Sequence, residues 1–322
     1  MLSWGDSNGN LPKLADSGAN VRATRVALGL AALLAGPAQA APAFTFALIG
    51  DLGYSERGQE VDHERQLAAV LDELNSRALA LVVHDGDIGH PDEMCSDEAV
   101  LRRFAQFNAL AAPFLYTSGD NEWKDCRSDL GEGRLSRLRE VFFANDRTLG
   151  QRPLPLVRQS APHRENARLQ LGEVTIFTVH IVGSGNNLGT KQHTVRDIAN
   201  RDWMEASFAA AKAARSRAVM LVMQANVFPY GFISNGYSAA FFDRLWQEVL
   251  GFAGPVVLVH GDNHVFQIDK PLVDQRNRVI ENFTRVQTFG TPSHHWVEVV
   301  VDYDDPNVFQ FRPRIVPANV AK

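Results

Sequence analysis

The sequence predicts a single α/β domain in which two β-sheets, one from each half of the chain, pack face to face and helices cover their outer sides. In the first half of the chain, short apolar runs alternate with segments of helical periodicity, and the runs stop at Gly-Asp or similar turns. The second half repeats this alternation and then ends in short strands separated by turn signals. Alternating strands and helices are typical of parallel sheets joined by right-handed crossovers.

The first half follows the order β-α-β-α-β. Its strands are expected over 44–50, 80–84 and 113–116, where apolar residues run into polar turns. A helix is expected over 59–77 because leucine and valine recur there at helical spacing, and a second helix is expected near 97–107.

The second half is less regular, since its beginning is charged and interrupted by prolines. Expected strands lie over 174–181, 218–223, 255–260, 296–301 and 308–311. Expected helices lie over 134–144, 199–214 and around 242–249.

The composition is that of an ordinary globular protein. Of the 322 residues, 45% are hydrophobic and 21% charged, which excludes a disordered chain, a coiled coil and a disulfide-dense miniprotein. The net charge of −5 lacks the basic excess typical of nucleic-acid-binding proteins.

Residues 1–40 are expected to be a polar leader and a secretory signal peptide, and residues 41–322 a single domain. Two arginines precede an apolar run over 26–36, and an A-x-A cleavage site ends at Ala40. The run is too short to span a bilayer, and no later segment approaches a membrane span. We therefore expect a periplasmic or secreted protein, with a buried N-terminal helix as the alternative.

The two cysteines, Cys95 and Cys126, agree with export. In an oxidising compartment, two thiols on neighbouring loops are expected to form a disulfide. The alternative is a pair of unbonded, buried thiols.

Polar side chains that can bind metal ions follow four predicted strands. They are Asp51, Asp87, Asn121, and the pair Asp262 and His264. Because α/β folds place ligand sites at the carboxyl ends of parallel strands, we expect these side chains to meet. Unrelated Asx-type turns are the alternative interpretation.

The order of these motifs resembles that of the calcineurin-like metallophosphoesterases, which include the purple acid phosphatases. The family pattern runs Asp-x-His or Asp-x-Gly, Gly-Asp, Gly-Asn-His, a His after a strand, and Gly-His-x-His. The corresponding segments here are Asp51-Leu52-Gly53, Gly86-Asp87, Asp120-Asn121-Glu122, Gln224 and Gly261-Asp262-Asn263-His264. The resemblance implies the metallophosphoesterase fold, a four-layer αββα sandwich of two mixed sheets with outer helices and a metal site between the sheets.

The resemblance also implies two divalent or mixed-valence metal ions bridged by Asp87. The first ion would be held by Asp51, Asp87 and His264. The second would be held by Asp87, Asn121, Gln224 and Asp262. Two such cations clamp a phosphoryl group and activate a water for attack.

Three histidines of the family pattern are replaced here by Glu122, Gln224 and Asp262. Because the remaining donors are mostly oxygen, the site is expected to prefer Mn, Mg, Fe or Ca to zinc, and one ion is the alternative to two. Glu122 stands in place of the family's acid/base histidine and could donate a proton if burial raised its pKa. His90 occupies the position of a ligand tyrosine in the Asp-x-Gly branch, so it is the other candidate catalytic residue, with a solvated loop histidine as the alternative.

Candidate substrate-binding residues are Tyr54, His180, Asn186 and Asn187. Tyr54 lies three residues after Asp51, and the other three lie at or beyond the end of a predicted strand. The alternatives are simple packing for the tyrosine and ordinary turns for the asparagines.

The function expected from this resemblance is hydrolysis of a small phosphomonoester or phosphodiester by a metal-activated water. Two alternatives stay open. The protein could bind a metal ion or an anion on the same fold with little or no turnover, or the polar clusters could bind calcium for stability alone.

Overall fold

The computed structural model describes residues 42–55, 62–126, 131–228 and 237–320. The predicted leader over 1–40 and its cleavage after Ala40 therefore lie outside the described residues.

Strands and helices alternate through most of the described ranges. The earlier strands are β1 (Phe44–Ile49), β2 (Val82–His84), β3 (Phe114–Tyr116), β4 (Val157–Arg158), β5 (Ala167–Leu171) and β6 (Val174–Thr178). The later strands are β7 (Ala218–Val222), β8 (Val256–His260), β9 (Gln267–Asp269), β10 (Phe283–Gln287), β11 (Trp296–Val301) and β12 (Phe309–Arg314). The helices are α1 (His63–Asn75), α2 (Pro91–Met94), α3 (Asp97–Asn108), α4 (Gly131–Phe142), α5 (Lys191–Ala213) and α6 (Ala239–Leu250), with a short 3-10 helix at Pro317–Asn319.

The strands form two mixed sheets. The first has the order β12-β11-β1-β2-β3, and the second has the order β4-β5-β6-β7-β8-β10-β9. Strands β1, β2 and β3 are parallel, as are β6, β7, β8 and β10, which confirms the parallel core predicted from the β-α-β order.

The last two strands belong to the first sheet, although the sequence analysis assigned one sheet to each half of the chain. β11 pairs antiparallel with β1, and β12 pairs antiparallel with β11. Val297, Val299 and Val301 of β11 are buried in the same cluster as Phe46 and Leu48 of β1. Burial of this apolar strand face next to β1 explains why the chain returns to the first sheet.

The sheets pack against each other through one face and against helices through the other. Phe46 and Leu48 of the first sheet share a buried cluster with Met220 and Val222 of the second. The intervening Ala47 of β1 instead joins a cluster on the helical side. Successive strand residues point to opposite faces, so this alternation gives the αββα sandwich that was predicted.

Helix α5 begins at Lys191, eight residues before the predicted start. Thr190 caps it by accepting a hydrogen bond from the backbone N–H of His193. The first buried residues of the helix are His193, Arg196 and Asn200, all polar, so hydrophobic periodicity could not locate this end.

Cys95 and Cys126 form a disulfide, which confirms their predicted pairing. Cys95 directly follows the last residue of α2, and Cys126 lies in the segment between β3 and α4. Within the described ranges, no helix is long and apolar enough to cross a membrane.

Candidate functional site

The polar residues predicted to meet at the strand ends do converge. The backbone N–H of Asp262, after β8, donates to both carboxylate oxygens of Asp51, after β1, at 3.1 and 3.3 Å. The side chain of Gln224, after β7, donates to Asp87, after β2, at 3.1 Å. Both contacts join residues of the two sheets, so the candidate site lies where the carboxyl ends of the central strands meet.

The backbone at this site is unusual. Asp51, Asp87, Asp262 and His264 have φ values of 51°, 56°, 75° and 61°, in the left-handed region that non-glycine residues rarely adopt. Such conformations cluster at functional sites, where the surrounding structure holds them in place.

Two glycines let the backbone approach the carboxylates. A Cβ atom on Gly261 would lie 2.1 Å from Oδ2 of Asp51, and one on Gly119 would lie 1.9 Å from Oδ1 of Asp87. Neither position can hold a larger residue without moving a candidate ligand.

His264 is oriented toward Asp51. Its Nδ1 lies 3.0 Å from the carbonyl oxygen of Thr291, and its Nε2 lies 3.6 Å from Oδ1 of Asp51. The carbonyl can only accept, so Nδ1 carries the proton and Nε2 of the neutral ring has the lone pair. The hydroxyl of Tyr54 lies 2.9 Å from the same Nε2.

Asp87 joins the polar groups after β3 and β7. Its Oδ1 accepts from the backbone N–H of Asn121, and its Oδ2 accepts from the side-chain amide of Gln224. The amide of Asn121 in turn donates to the carbonyl of Gly89 at 3.1 Å.

Gln224 does not offer its side-chain oxygen to this centre. Its Oε1 accepts the backbone N–H of Gly183 at 2.5 Å, while its Nε2 faces Asp87 and Asp262. The predicted role as an oxygen ligand therefore does not correspond to the side-chain orientation in the structure.

Asp120 is a site residue that the sequence analysis did not select. Its carboxyl is buried, its Oδ1 has no hydrogen-bond partner among the described residues, and its charge acts on Asp51 and Asp87. Burial, with nearby Asp125 and Asp262, raises the pKa of Asp120 to about 7. Its position directly before Asn121 at the end of β3 was the available signal.

The other acids of the site also have raised pKa values in the absence of a cation. Burial is the largest cause of the raised pKa of each carboxyl, and mutual repulsion adds to it at several of them. The acids with a raised pKa are Asp51, Asp85, Asp87, Glu122 and Asp262. Among the described residues, none of these acids is in an ion pair with Lys or Arg, and His264 is the one cationisable side chain paired with them.

This donor set fits a hard metal cation. Buried carboxylates are normally paired or bound to a metal. In the described part of the chain, three carboxylate oxygens of the site have no hydrogen-bond partner: Oδ1 of Asp85, Oδ1 of Asp120 and Oε2 of Glu122. Asp51 and His264, whose facing atoms lie 3.6 Å apart, would hold the cation, and Asp87 is the further ligand that the resemblance implies.

The carboxylate of Glu122 hydrogen-bonds to the loop after β2 and to a side chain of β3. Its Oε1 accepts from the backbone N–H of Ile88 at 2.8 Å and from the hydroxyl of Tyr116 at 2.9 Å. The side chain is fully buried. It therefore supports the loop that follows Asp87, and its hydrogen-bonded oxygen is directed at the protein.

His90, the other predicted catalytic residue, directly precedes helix α2 and caps its N-terminus. Its Nδ1 accepts from the backbone N–H of Asp92, and its ring centre lies 6.4 Å from that of Tyr54. The partly exposed imidazole thus stands beside the tyrosine that contacts His264.

The predicted substrate-binding residues after β6 are held by the protein itself. Both ring nitrogens of His180 are engaged, Nδ1 with Glu165 and Nε2 with Ser118. Asn186 accepts from Arg196 through its side-chain oxygen. Asn187 donates to Gln192 from its side-chain nitrogen. In this arrangement these contacts stabilise the loop before α5, and Tyr54 remains the predicted substrate contact next to the centre.

A second group of potential ligands lies on the helical side. Imidazole and carboxylate atoms of His63, Glu64 and Glu93 lie close enough together to share an ion. Glu64 and Glu93 are already paired with Arg102, and Glu64 also with Arg103. The negative charge of this group is therefore balanced, unlike that of the strand-end acids.

Comparison with known proteins identifies the architecture. The sequence matches no family model and no curated protein. A dimetal phosphatase from Danio rerio is similar in structure over 85% of this chain and 96% of its own, at 13% sequence identity and a TM-score of 0.54. A purple acid phosphatase from yellow lupin (Lupinus luteus) seeds is similar over 86% of this chain and 52% of its own, at 13% identity and a TM-score of 0.50. The chain thus has the metallophosphoesterase fold, which it shares with these two phosphatases.

Proposed function

We propose that the protein is an exported, metal-dependent phosphoesterase that hydrolyses a small phosphomonoester or phosphodiester. The observation that carries the proposal is the set of buried carboxylates at the strand ends, which lack a paired Lys or Arg in the described part of the chain. A cation is the simplest partner for such a set. Both structures compared above are those of phosphatases, which supports the same reaction class.

The protein residues around the centre have definable tasks. The carbonyl of Thr291 fixes the His264 ring so that Nε2 faces Asp51. The N–H of Asp262 holds the Asp51 carboxylate from the opposite sheet. A bound divalent cation supplies charge stabilisation for the phosphoryl group and makes a water nucleophilic at neutral pH.

Substrate size and export rest on separate observations. The cluster contains one imidazole and no paired basic side chain among the described residues, so few contacts are available for a polyanionic substrate. The disulfide between Cys95 and Cys126 supports an oxidising compartment, such as the periplasm or the extracellular space.

The second candidate function is binding without turnover. The orientation of Glu122 favours it, because the residue proposed to replace the family's acid/base histidine hydrogen-bonds to Ile88 and Tyr116 within the protein. In that case the centre would hold a metal ion, or an anion on that ion, and release no product.

The test is hydrolysis of p-nitrophenyl phosphate and its bis ester after chelation and reloading with Mn²⁺, Mg²⁺, Ca²⁺ or ferric iron. We expect at least one ion to restore turnover in the wild type and none to restore it in Asp51→Asn. Metal binding by the wild type without any turnover would favour the binding protein, and no metal binding at all would overturn both functions.

A further inference from the structure

The side-chain amide of Gln224 lies between the carboxylates of Asp87 and Asp262, where the second cation of a two-metal centre was expected. We infer that this amide replaces that cation, so the centre binds a single divalent ion. This inference rests on the proposed metal-dependent function and specifies its metal content.

The contacts of the amide nitrogen are those of a bridge between two acids. Nε2 of Gln224 lies 3.1 Å from Oδ2 of Asp87 and 3.5 Å from Oδ1 of Asp262. These acids follow strands of different sheets, and the NH2 group faces both of them. The amide thereby supplies part of the positive potential that a second cation would provide.

The orientation of the amide is fixed by its other end. Gly183 offers a backbone N–H, which is a donor, at 2.5 Å from Oε1 of Gln224. Turning the amide to present oxygen to a cation would place its NH2 group against that N–H, leaving two donors facing each other. The hydrogen-bond network therefore assigns nitrogen, and not oxygen, to the side of the acids.

The side chain also has little room to withdraw. Gln224 is fully buried, and a Cβ atom on Gly86 would lie 2.6 Å from its Cγ. Its backbone N–H donates to Ile181, and its carbonyl accepts from Gly261. The stem of Gln224 is thus held by the loops of both sheets that carry the candidate ligands.

The two metal positions expected from the resemblance differ in the donor atoms that the protein offers to a cation. A divalent cation needs lone pairs from oxygen or imidazole nitrogen, and an amide NH2 group has none to give. At the other position, the carboxylate of Asp51 and the Nε2 of His264 lie 3.6 Å apart, and both have lone pairs. One cation therefore fits this centre, and the position beside Gln224 does not suit a second.

The experiment measures manganese content in three forms of the full-length protein after chelation, reloading with excess Mn²⁺ and desalting. We expect one ion per chain in the wild type, two in Gln224→His, whose imidazole supplies a lone pair, and one in the matched control Gln224→Leu. Electron paramagnetic resonance should give the spectrum of isolated Mn²⁺ in the wild type and of a coupled pair in the histidine variant.

The outcomes separate this inference from the function on which it rests. Two coupled ions in the wild type, together with ester hydrolysis, would overturn the single-ion centre and leave the proposed function standing. No bound manganese in the wild type would overturn the single-ion centre, and no turnover with any of the four ions would overturn the proposed function as well. One ion in Gln224→His, in a folded protein by circular dichroism, would show that Gln224 is not what excludes the second ion. If that variant fails to fold, the wild-type stoichiometry and spectrum decide alone.

Discussion

The hydroxyl of Tyr54 lies 2.9 Å from Nε2 of His264, the ring nitrogen that faces Asp51. Because Nδ1 of the neutral ring donates to the Thr291 carbonyl, the tyrosine must be the donor in this contact. The lone pair that a metal ion would use is therefore engaged by a hydroxyl group. The two rings meet edge to face, with their centres 5.8 Å apart.

Tyr54→Phe should strengthen metal binding. The substitution removes a hydrogen bond that the cation must displace, and a net contribution of about 0.5–1.5 kcal/mol corresponds to an affinity roughly 2- to 10-fold higher. Isothermal titration of the chelated protein with Mn²⁺ measures this change. His264→Ala is the matched control and should bind Mn²⁺ more weakly than the wild type. Weaker binding in Tyr54→Phe would mean that the hydroxyl supports the bound ion.

Replacing Asp87 should reduce metal affinity far more than replacing Asp262. Asp87 is expected to be a ligand, whereas Asp262 orients the Asp51 carboxylate through its backbone N–H, which Asp262→Asn retains. We expect a loss of roughly 100-fold or more for Asp87→Asn and about 10-fold or less for Asp262→Asn, by comparison with groups that only orient a ligand. Equal losses in the two variants, measured by the same titration, would contradict this ranking.

The metal-free protein should lose stability as the pH rises above neutrality. Burial raises the pKa of Asp120 from 3.8 to about 7, and it raises the pKa values of Asp51 and Asp87 well above the ordinary range. Folding therefore favours their protonated forms, and the stability that this provides is lost as the pH rises through the folded-state pKa values.

Buried histidines act in the opposite sense at lower pH. Burial lowers the pKa of His84 and His260 to about 3 and of His180 and His294 to about 4, so they add stability as the pH rises to about 6.5. The informative range is thus about pH 6.5 to 8.5, in which we expect the Tm in chelator to fall and the Tm with Mn²⁺ to change less. Asp120→Asn should flatten the slope in chelator up to about pH 7.5, because the contribution of a group with a folded-state pKa of about 7 is nearly complete above that pH. A Tm in chelator that rises over this range would contradict the raised pKa values.

The sequence was sufficient to predict the parallel strands and the Asp residues that follow them, because an apolar run that ends in Gly-Asp indicates a buried strand followed by a turn. It could not determine which of three consecutive polar residues after β3 faces the centre. Asp120 and Glu122 lie only two positions apart, yet Glu122 bonds to Tyr116 and Ile88 while Asp120 repels Asp87. That choice depends on the local backbone path.

The direction of the Gln224 amide was also beyond the sequence. It depends on the backbone N–H of Gly183, which lies 41 residues earlier in the chain, in the loop between β6 and α5. A motif comparison assigns Gln224 to a ligand position by order alone. Only the contact made by its oxygen reveals that the nitrogen faces the acids.

Removing the disulfide should destabilise the protein strongly. Cys95 and Cys126 are separated by 31 residues, and a bond closing such a loop contributes roughly 3–4 kcal/mol in the chain-entropy model. Urea unfolding of the Cys95→Ala, Cys126→Ala double variant should show a loss of this size. Wild-type protein unfolded with excess reductant should approach the same value, and an unchanged midpoint in reductant would contradict the prediction.

Glu122→Gln should lower the turnover of nitrophenyl and alkyl phosphates by the same factor. The Oε1 atom of Glu122 binds the Ile88 N–H and the Tyr116 hydroxyl, and glutamine can retain both contacts through its own oxygen. A general acid would act differently, because an alkoxide leaving group needs a proton and nitrophenolate does not. Loss of such an acid typically lowers the rate about 10²–10⁴-fold, and here only the hydrolysis of the alkyl ester would be slowed by it.

Metal content provides the second readout for this position. Glu122→Ala leaves the buried Ile88 N–H without its acceptor next to Asp87, so this variant should bind Mn²⁺ more weakly than Glu122→Gln, which keeps the acceptor. If Glu122 only positions the Asp87 loop, we expect this order of affinities together with an unchanged ratio of the two ester rates. An alkyl-specific loss in Glu122→Gln at wild-type metal content would instead assign Glu122 the role of proton donor, and would require its carboxyl to leave the contacts with Ile88 and Tyr116 during turnover.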